Sequence, residues 1–173
     1  MTTYMIRIVL LGDSFSGKTS LFNMLLYEIA YESFCTTISP SFGKYLDNYI
    51  LYDTPGQLRW LNFAKPYIEV ADAAIIMYHE SEESVNKWKK ILYEMNGKEV
   101  PVLIVCTKRD APKKQDNVLY ITLNEQGLHD KFQPFFHSLK HDPKISIGWV
   151  DYVYLLLPKV EDVIDQIPGC SQQ

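Results

Sequence analysis

The sequence predicts an α/β fold: a mostly parallel sheet with one antiparallel edge strand and helices on both faces. Three observations carry that prediction. Short, almost continuously apolar runs at 4–11, 73–78 and 100–107 read as strands buried on both sides. Segments with helical spacing separate them, and strict strand–helix alternation implies parallel neighbours joined by crossovers. One pair of runs, 42–46 and 49–52, brackets Asp47-Asn48 closely enough to be a hairpin, which makes one edge strand antiparallel.

The first run ends on Gly12, so a buried strand feeds a tight loop. From Gly17 onward Phe22, Leu25, Leu26 and Ile29 recur at i, i+3, i+4 and i+7, which gives a helix with one face on a core. Residues 31–39 are irregular and rich in Ser and Thr, and Pro40 pushes its predecessor out of helical geometry, so this segment is a loop. Beyond Gln57 the expected order is strand 73–78, helix 81–95, strand 100–107, helix 122–131, strand 135–137 and helix 147–157. Val85, Trp88, Leu92 and Met95 form the buried stripe of the helix at 81–95. Pro158 interrupts the last helix, with a kink or a restart there.

A chain of 173 residues that is 47% hydrophobic can build one full core, and no repeat or linker divides it, so residues 1–173 read as a single domain. The net charge of −4, without a run of five or more like charges, argues against a nucleic-acid binder. Three cysteines, Cys35, Cys106 and Cys170, without a C-x-x-C pair, suit a reducing compartment better than a disulfide framework. Residues 1–7 lack the pattern of a signal peptide, and no eighteen apolar residues run together. The expectation is a cytoplasmic monomer, in solution or docked peripherally at a membrane. His79, His129, His137 and His141 are given no metal role, because no Cys or carboxylate set completes a site around them.

The chemistry begins at Gly12-Asp13-Ser14-Phe15-Ser16-Gly17-Lys18-Thr19, which satisfies G-x-x-x-x-G-K-[ST] between a strand and a helix. By chance such a match occurs in on the order of 1% of chains this long. Glycines at both ends let backbone N–H groups turn inward around phosphate oxygens, and the helix N-terminus adds its positive dipole. Lys18 reaches the β and γ phosphates, the Thr19 hydroxyl takes a magnesium position, and Ser20 follows in the first helical turn. This loop alone does not separate ATP from GTP. Thr107-Lys108-Arg109-Asp110 stands at the carboxyl end of a buried strand, where open α/β sheets bind ligands. A carboxylate at Asp110 can accept two hydrogen bonds from guanine's ring N–H and amino group, a donor pair that adenine lacks. Lys108 can lay its alkyl stem over the base.

These residues resemble the G domain of the Ras superfamily, over nearly the whole chain. Asp53-Thr54-Pro55-Gly56-Gln57 is similar to the family's D-T-A-G-Q, and Thr37 matches its loop threonine. The resemblance implies GTP or GDP bound with Mg2+. Thr19, Thr37 and Asp53 would then be the metal residues, Gly56 would contact the γ-phosphate, and Gln57 would orient the attacking water. Lys18, Thr37 and Gln57 would be the catalytic set. Ser138-Leu139-Lys140 is similar to the S-A-K loop that backs the guanine. Within the superfamily the match leans to Rab, through 38–42 and Gln57-Leu58-Arg59-Trp60, which implies a role in membrane traffic. Phe42, Tyr52 and Tyr67 fall at the aromatic positions of the Rab effector surface; the alternative is ordinary strand packing. Trp60 is either a core plug or a partner contact.

Three departures bear on nucleotide binding. Phe15 is bulky where the family has a small residue, Thr107 replaces asparagine and removes an amide that braces the phosphate loop, and Ala30 replaces the aromatic that packs on guanine, a role open to Tyr31. Phe15 crowds the loop entrance, Thr107 lowers affinity, and without Tyr31 in the aromatic's place nucleotide release is fast; an alternative reading is a divergent G domain that acts as a protein-binding module. Cys170 is fourth from the end, which fits a prenylation motif by position, but Ser171 and Gln172 are not aliphatic.

Overall fold

The axis of the sheet is β1 (Ile6–Gly12), whose seven residues are all buried. A computed structural model of the chain describes residues 5–29, 35–79, 81–107, 117–123 and 127–139. Among them the elements run β1, α1 (Lys18–Tyr27), β2 (Ser41–Tyr45), β3 (Tyr49–Asp53), a 3-10 turn (Leu58–Trp60), α2 (Leu61–Glu69), β4 (Ala73–Tyr78), α3 (Glu83–Asn96), β5 (Val102–Cys106), β6 (Val118–Tyr120) and α4 (Leu128–Ser138). The strand order is β2-β3-β1-β4-β5-β6. Only β2 and β3 pair antiparallel; the other neighbours are parallel, so the expected α/β class with one antiparallel edge is the observed one.

The runs that form β1 and β4 have no exposed face, whereas Val102, Leu103 and Ile104 of β5, in the third run, are only half-buried. Ile8, Val9, Leu10 and Leu11 of β1, and Ala73, Ala74, Ile75, Ile76 and Met77 of β4, are fully shielded from water, and Trp88 of α3 packs into the same core. One charged pair is buried with them. Arg7 donates through Nε and a terminal nitrogen to both carboxylate oxygens of Asp72, at 2.9 and 3.0 Å, and its backbone amide bonds the same carboxylate. The fork ties β1 to the turn that starts β4.

The hairpin turns where expected but not on the expected residue. Tyr45 and Tyr49 are the last paired residues, and Leu46 takes the left-handed conformation (φ 50°) that Asp47 or Asn48 would adopt more easily.

Two departures from the sequence reading share one cause. Helix α2 was not anticipated, and the predicted helix 122–131 followed by strand 135–137 is instead β6 and then one continuous helix, α4, so that Phe135 to His137 are helical. Each helix contains a proline in its interior, Pro66 and Pro134, which removes a backbone bond and reads as a stop. Both prolines face solvent, while Tyr67 and Ile68 in α2, and Leu128, Phe132 and Phe136 in α4, are buried. Burying such side chains stabilises by about 1.5–3 kcal/mol each, which offsets a proline cost of about 3 kcal/mol.

Helix α4 is seated on the end of the sheet remote from Gly12. The Tyr49 hydroxyl donates to the Phe136 carbonyl at 2.7 Å, and Tyr45 stacks on His129 and shares a 3.0 Å hydrogen bond with its Nδ1. Tyr49 pairs with Ile6, the first residue of β1, which defines that end. The predicted helix 147–157, Pro158 and Cys170 lie outside the described residues.

Candidate functional site

The site forms at the carboxyl end of β1, where the chain must turn sharply. Gly12 has φ 146°, and a Cβ there would sit 2.1 Å from the Met77 carbonyl oxygen, so only glycine leaves room for β4. Five residues later Gly17 (φ 90°) caps the start of α1. The loop between them curls over the Lys18 ammonium, which donates to the Gly12 carbonyl at 3.0 Å, the Asp13 carbonyl at 2.7 Å and Ser16 Oγ at 3.3 Å. Burial pushes the Lys18 pKa down to about 8, although the charges of Asp53 and Asp13 partly offset it.

Three oxygen-bearing side chains converge beside this lysine. Thr19 Oγ1 donates to Asp53 Oδ2 at 2.7 Å and lies 2.8 Å from Thr37 Oγ1. Burial raises the Asp53 pKa, against the Thr19 bond, the Lys18 charge and the Thr54 amide. Its second oxygen, Oδ1, is buried without a hydrogen-bond partner. A buried carboxylate oxygen with no donor, next to two hydroxyls, is the chemistry that a hard divalent cation such as Mg2+ satisfies, so the predicted metal residues fit the ion.

The cavity over these groups measures about 420 Å³. Ser14, Phe15, Gly17, Lys18, Thr19, Ser20, Cys35, Thr36, Thr37, Gly56 and Leu123 line it. Gly56 is pressed onto the loop so closely that a Cβ would lie 2.5 Å from the Ser14 amide nitrogen. Gln57 follows at the head of the 3-10 turn, half-exposed and just outside the lining. Behind the loop a second cavity of about 290 Å³ includes Asp13, Ser16, His79 and Ser84 in its wall.

Comparison with known proteins bears on the same segment. Residues 7–110 match the family model for the Ras of Complex (Roc) domain of DAPkinase. The chain is 32% identical over 125 residues to Ras-related protein Rab-21 of Bos taurus, an alignment covering 65% of this chain and 56% of that protein. It is 28% identical over 164 residues to Ras-related protein RabL of Dictyostelium discoideum, covering 82% of this chain and 78% of that protein. Ras-related protein Rab-32A of Dictyostelium discoideum is 28% identical over 127 residues, covering 64% of this chain and 58% of that protein. The chain belongs to the Ras superfamily of small GTPases, on its Rab-like side. It spans little more than half the length of the Rab-21 and Rab-32A relatives.

Two sequence expectations for this Rab-like GTPase change in the structure. Of the expected Ser138-Leu139-Lys140 loop, Ser138 and Leu139 do not line the cavity. Ser138 is the last residue of α4, bonded to its own helix through the Phe135 carbonyl at 2.7 Å, and α4 carries it to the far end of the sheet. Lys140 lies outside the described residues. The segment that does reach the site follows β6: Leu123 Cδ1 stands 2.6 Å from where a Gly17 Cβ would be, and Thr107 Cγ2 stands 3.5 Å from the same point. Sequence reasoning missed it because β6 is only three residues long, although Val118 to Ile121 is an apolar run just after Asp116-Asn117.

The second change concerns the aromatic triad of the Rab-like GTPase. Tyr52 and Tyr67 are buried, with ring centroids 5.0 Å apart, and Phe42 packs edge-on to Tyr52 at 6.5 Å. The triad is therefore largely core, and Phe42 alone keeps an exposed edge. Trp60 is half-exposed, with Arg59 over its ring at 5.1 Å and Phe63 at 5.8 Å. Thr107 keeps part of the brace that the missing asparagine amide implied was lost, since its hydroxyl lies within bonding reach of the Ser16 carbonyl at 3.3 Å. Ala30, Tyr31, Lys108 and Asp110 lie outside the described residues. Among the described residues no helix is long and apolar enough to cross a membrane.

Proposed function

We propose that this chain is a guanine-nucleotide switch that binds GDP or GTP with Mg2+ and hydrolyses GTP slowly. The observation that supports it most directly is the convergence of Thr19, Thr37 and buried Asp53 beside Lys18. The three residues come from α1, the loop before β2 and the end of β3. A ligand bonding all of them would order two loops at once, and partners could read the difference.

In this reading the loop amides of 14–19 and the Lys18 ammonium hold the phosphates, and Thr19, Thr37 and Asp53 hold the metal. Magnesium, when bound, supplies charge neutralisation between the phosphates. Thr37 and the Gly56 amide close on the γ-phosphate, and Gln57 orients the attacking water. Lys108 and Asp110 select guanine, with Leu123 in place of Leu139 backing the base pocket. Phe42 and Trp60 offer apolar surface to effectors and regulators, and a role in membrane traffic follows from the Rab likeness.

The deciding experiment is to identify the nucleotide that heat releases from freshly purified protein, and then to measure GTP turnover with and without Gln57→Leu. Bound GDP and turnover that falls with Gln57→Leu are expected. An empty site, or turnover untouched by the substitution, would reject the switch reading in favour of a protein-binding module.

A further inference from the structure

His79 stands where β4 hands over to α3, and its Nδ1 lies 3.3 Å from Thr107 Oγ1. That hydroxyl lies 3.3 Å from the Ser16 carbonyl oxygen and 3.4 Å from the Tyr78 carbonyl oxygen. A threonine hydroxyl has one proton and rotates freely, so its neighbours decide which acceptor receives that proton. The Tyr78 carbonyl already accepts the Thr107 amide at 3.0 Å. The Ser16 carbonyl belongs to the phosphate loop, directly before the left-handed Gly17 from which α1 starts.

We propose that His79 is a positioning residue for nucleotide retention: by donating its Nδ1–H to Thr107 Oγ1, it turns the hydroxyl proton onto the Ser16 carbonyl and holds the phosphate loop in its binding shape. The inference rests on the nucleotide-binding reading above. The opposite arrangement, with Nδ1 accepting, would spend the Thr107 proton on the ring and release Ser16. An asparagine at position 107 would bring amide protons of its own and need no such help. A threonine has a single proton to place, and the exposed imidazole beside it supplies the missing direction. Because His79 is exposed, removing it costs the fold little.

The test is a double-mutant cycle on GDP dissociation from the full chain, followed after a chase with excess unlabelled GDP. His79→Ala should speed release about 2- to 10-fold, the worth of one hydrogen bond. His79→Asn, whose amide N–H can stand where Nδ1–H stands, should release GDP at close to the native rate. In a Thr107→Asn background His79→Ala should change nothing. Equal acceleration in both backgrounds, or none in the native one, overturns the proposal. A chain that retains no GDP fails the switch reading instead. The same cycle is then scored on nucleotide-free protein by amide exchange at Ser16 and Leu21, whose amides donate to the Asp13 and Gly17 carbonyls; equal loss of protection in both backgrounds overturns the proposal and loss only in the Thr107 background supports it.

Discussion

Asp13, the second residue of the phosphate loop, accepts a 3.1 Å hydrogen bond from the indole Nε1–H of Trp88, 75 positions away on α3. Lys87 donates to the same carboxylate oxygen. The loop after β1 is thus anchored by two neighbouring side chains of α3.

That anchor makes stability depend on pH. Partial burial opposes ionisation of Asp13, but bonds from Lys87, Ser84 and Trp88 outweigh it and hold its pKa below the ordinary 3.8. A depressed carboxyl contributes stability above its unfolded pKa and loses it as pH falls through the folded value. The melting-temperature difference between the native chain and Asp13→Asn should therefore be constant from about pH 7 to 5 and shrink below about pH 4. A difference that does not change with pH would show that Asp13 acts without its charge.

The Arg7–Asp72 fork predicts a larger effect. Both side chains are nearly buried, at 9% and 8% exposure. Asp72→Ala takes the carboxylate away from a buried guanidinium and should cost about 3–5 kcal/mol in denaturant unfolding. Replacing both partners, as Arg7→Met with Asp72→Leu, should recover most of that loss, because no buried charge then remains to be compensated. Equal destabilisation of the single and double variants would place the cost in packing instead.

Leu123 and Gly17 make a third prediction. A Cβ at Gly17 meets Leu123 Cδ1 at 2.6 Å and must also accept φ 90°. Gly17→Ala should weaken GDP binding, and Leu123→Ala in the same chain should restore part of it by removing the side-chain clash while the backbone strain of about 1–3 kcal/mol remains. Binding titrations on the two variants check this. Full additivity of the two substitutions would separate Leu123 from the nucleotide site.

How far the site was legible depended on whether its signal was local. Gly12, Gly17, Lys18 and Thr19 are legible because phosphate binding needs fixed spacing within one turn, and the structure brings them together as read. Thr37, Asp53 and Gly56 were legible through motif resemblance, and they meet Thr19 or the loop. Leu123 was not, since its role comes from the parallel pairing of a three-residue strand with β5, which no local period announces. His79 was read as bland for the same reason: its partner Thr107 is 28 positions away.

The sequence by itself determined the α/β class and the glycine-bounded loop that follows the first strand, because apolar runs, glycine geometry and motif spacing are properties of neighbouring residues. Tertiary structure alone decided that helices run through Pro66 and Pro134, that Tyr52 and Tyr67 face the core, and that Ser138 sits at the wrong end of the sheet to reach the site. Each of those outcomes was set by burial against a partner distant in the chain, and that burial outweighed the local preference.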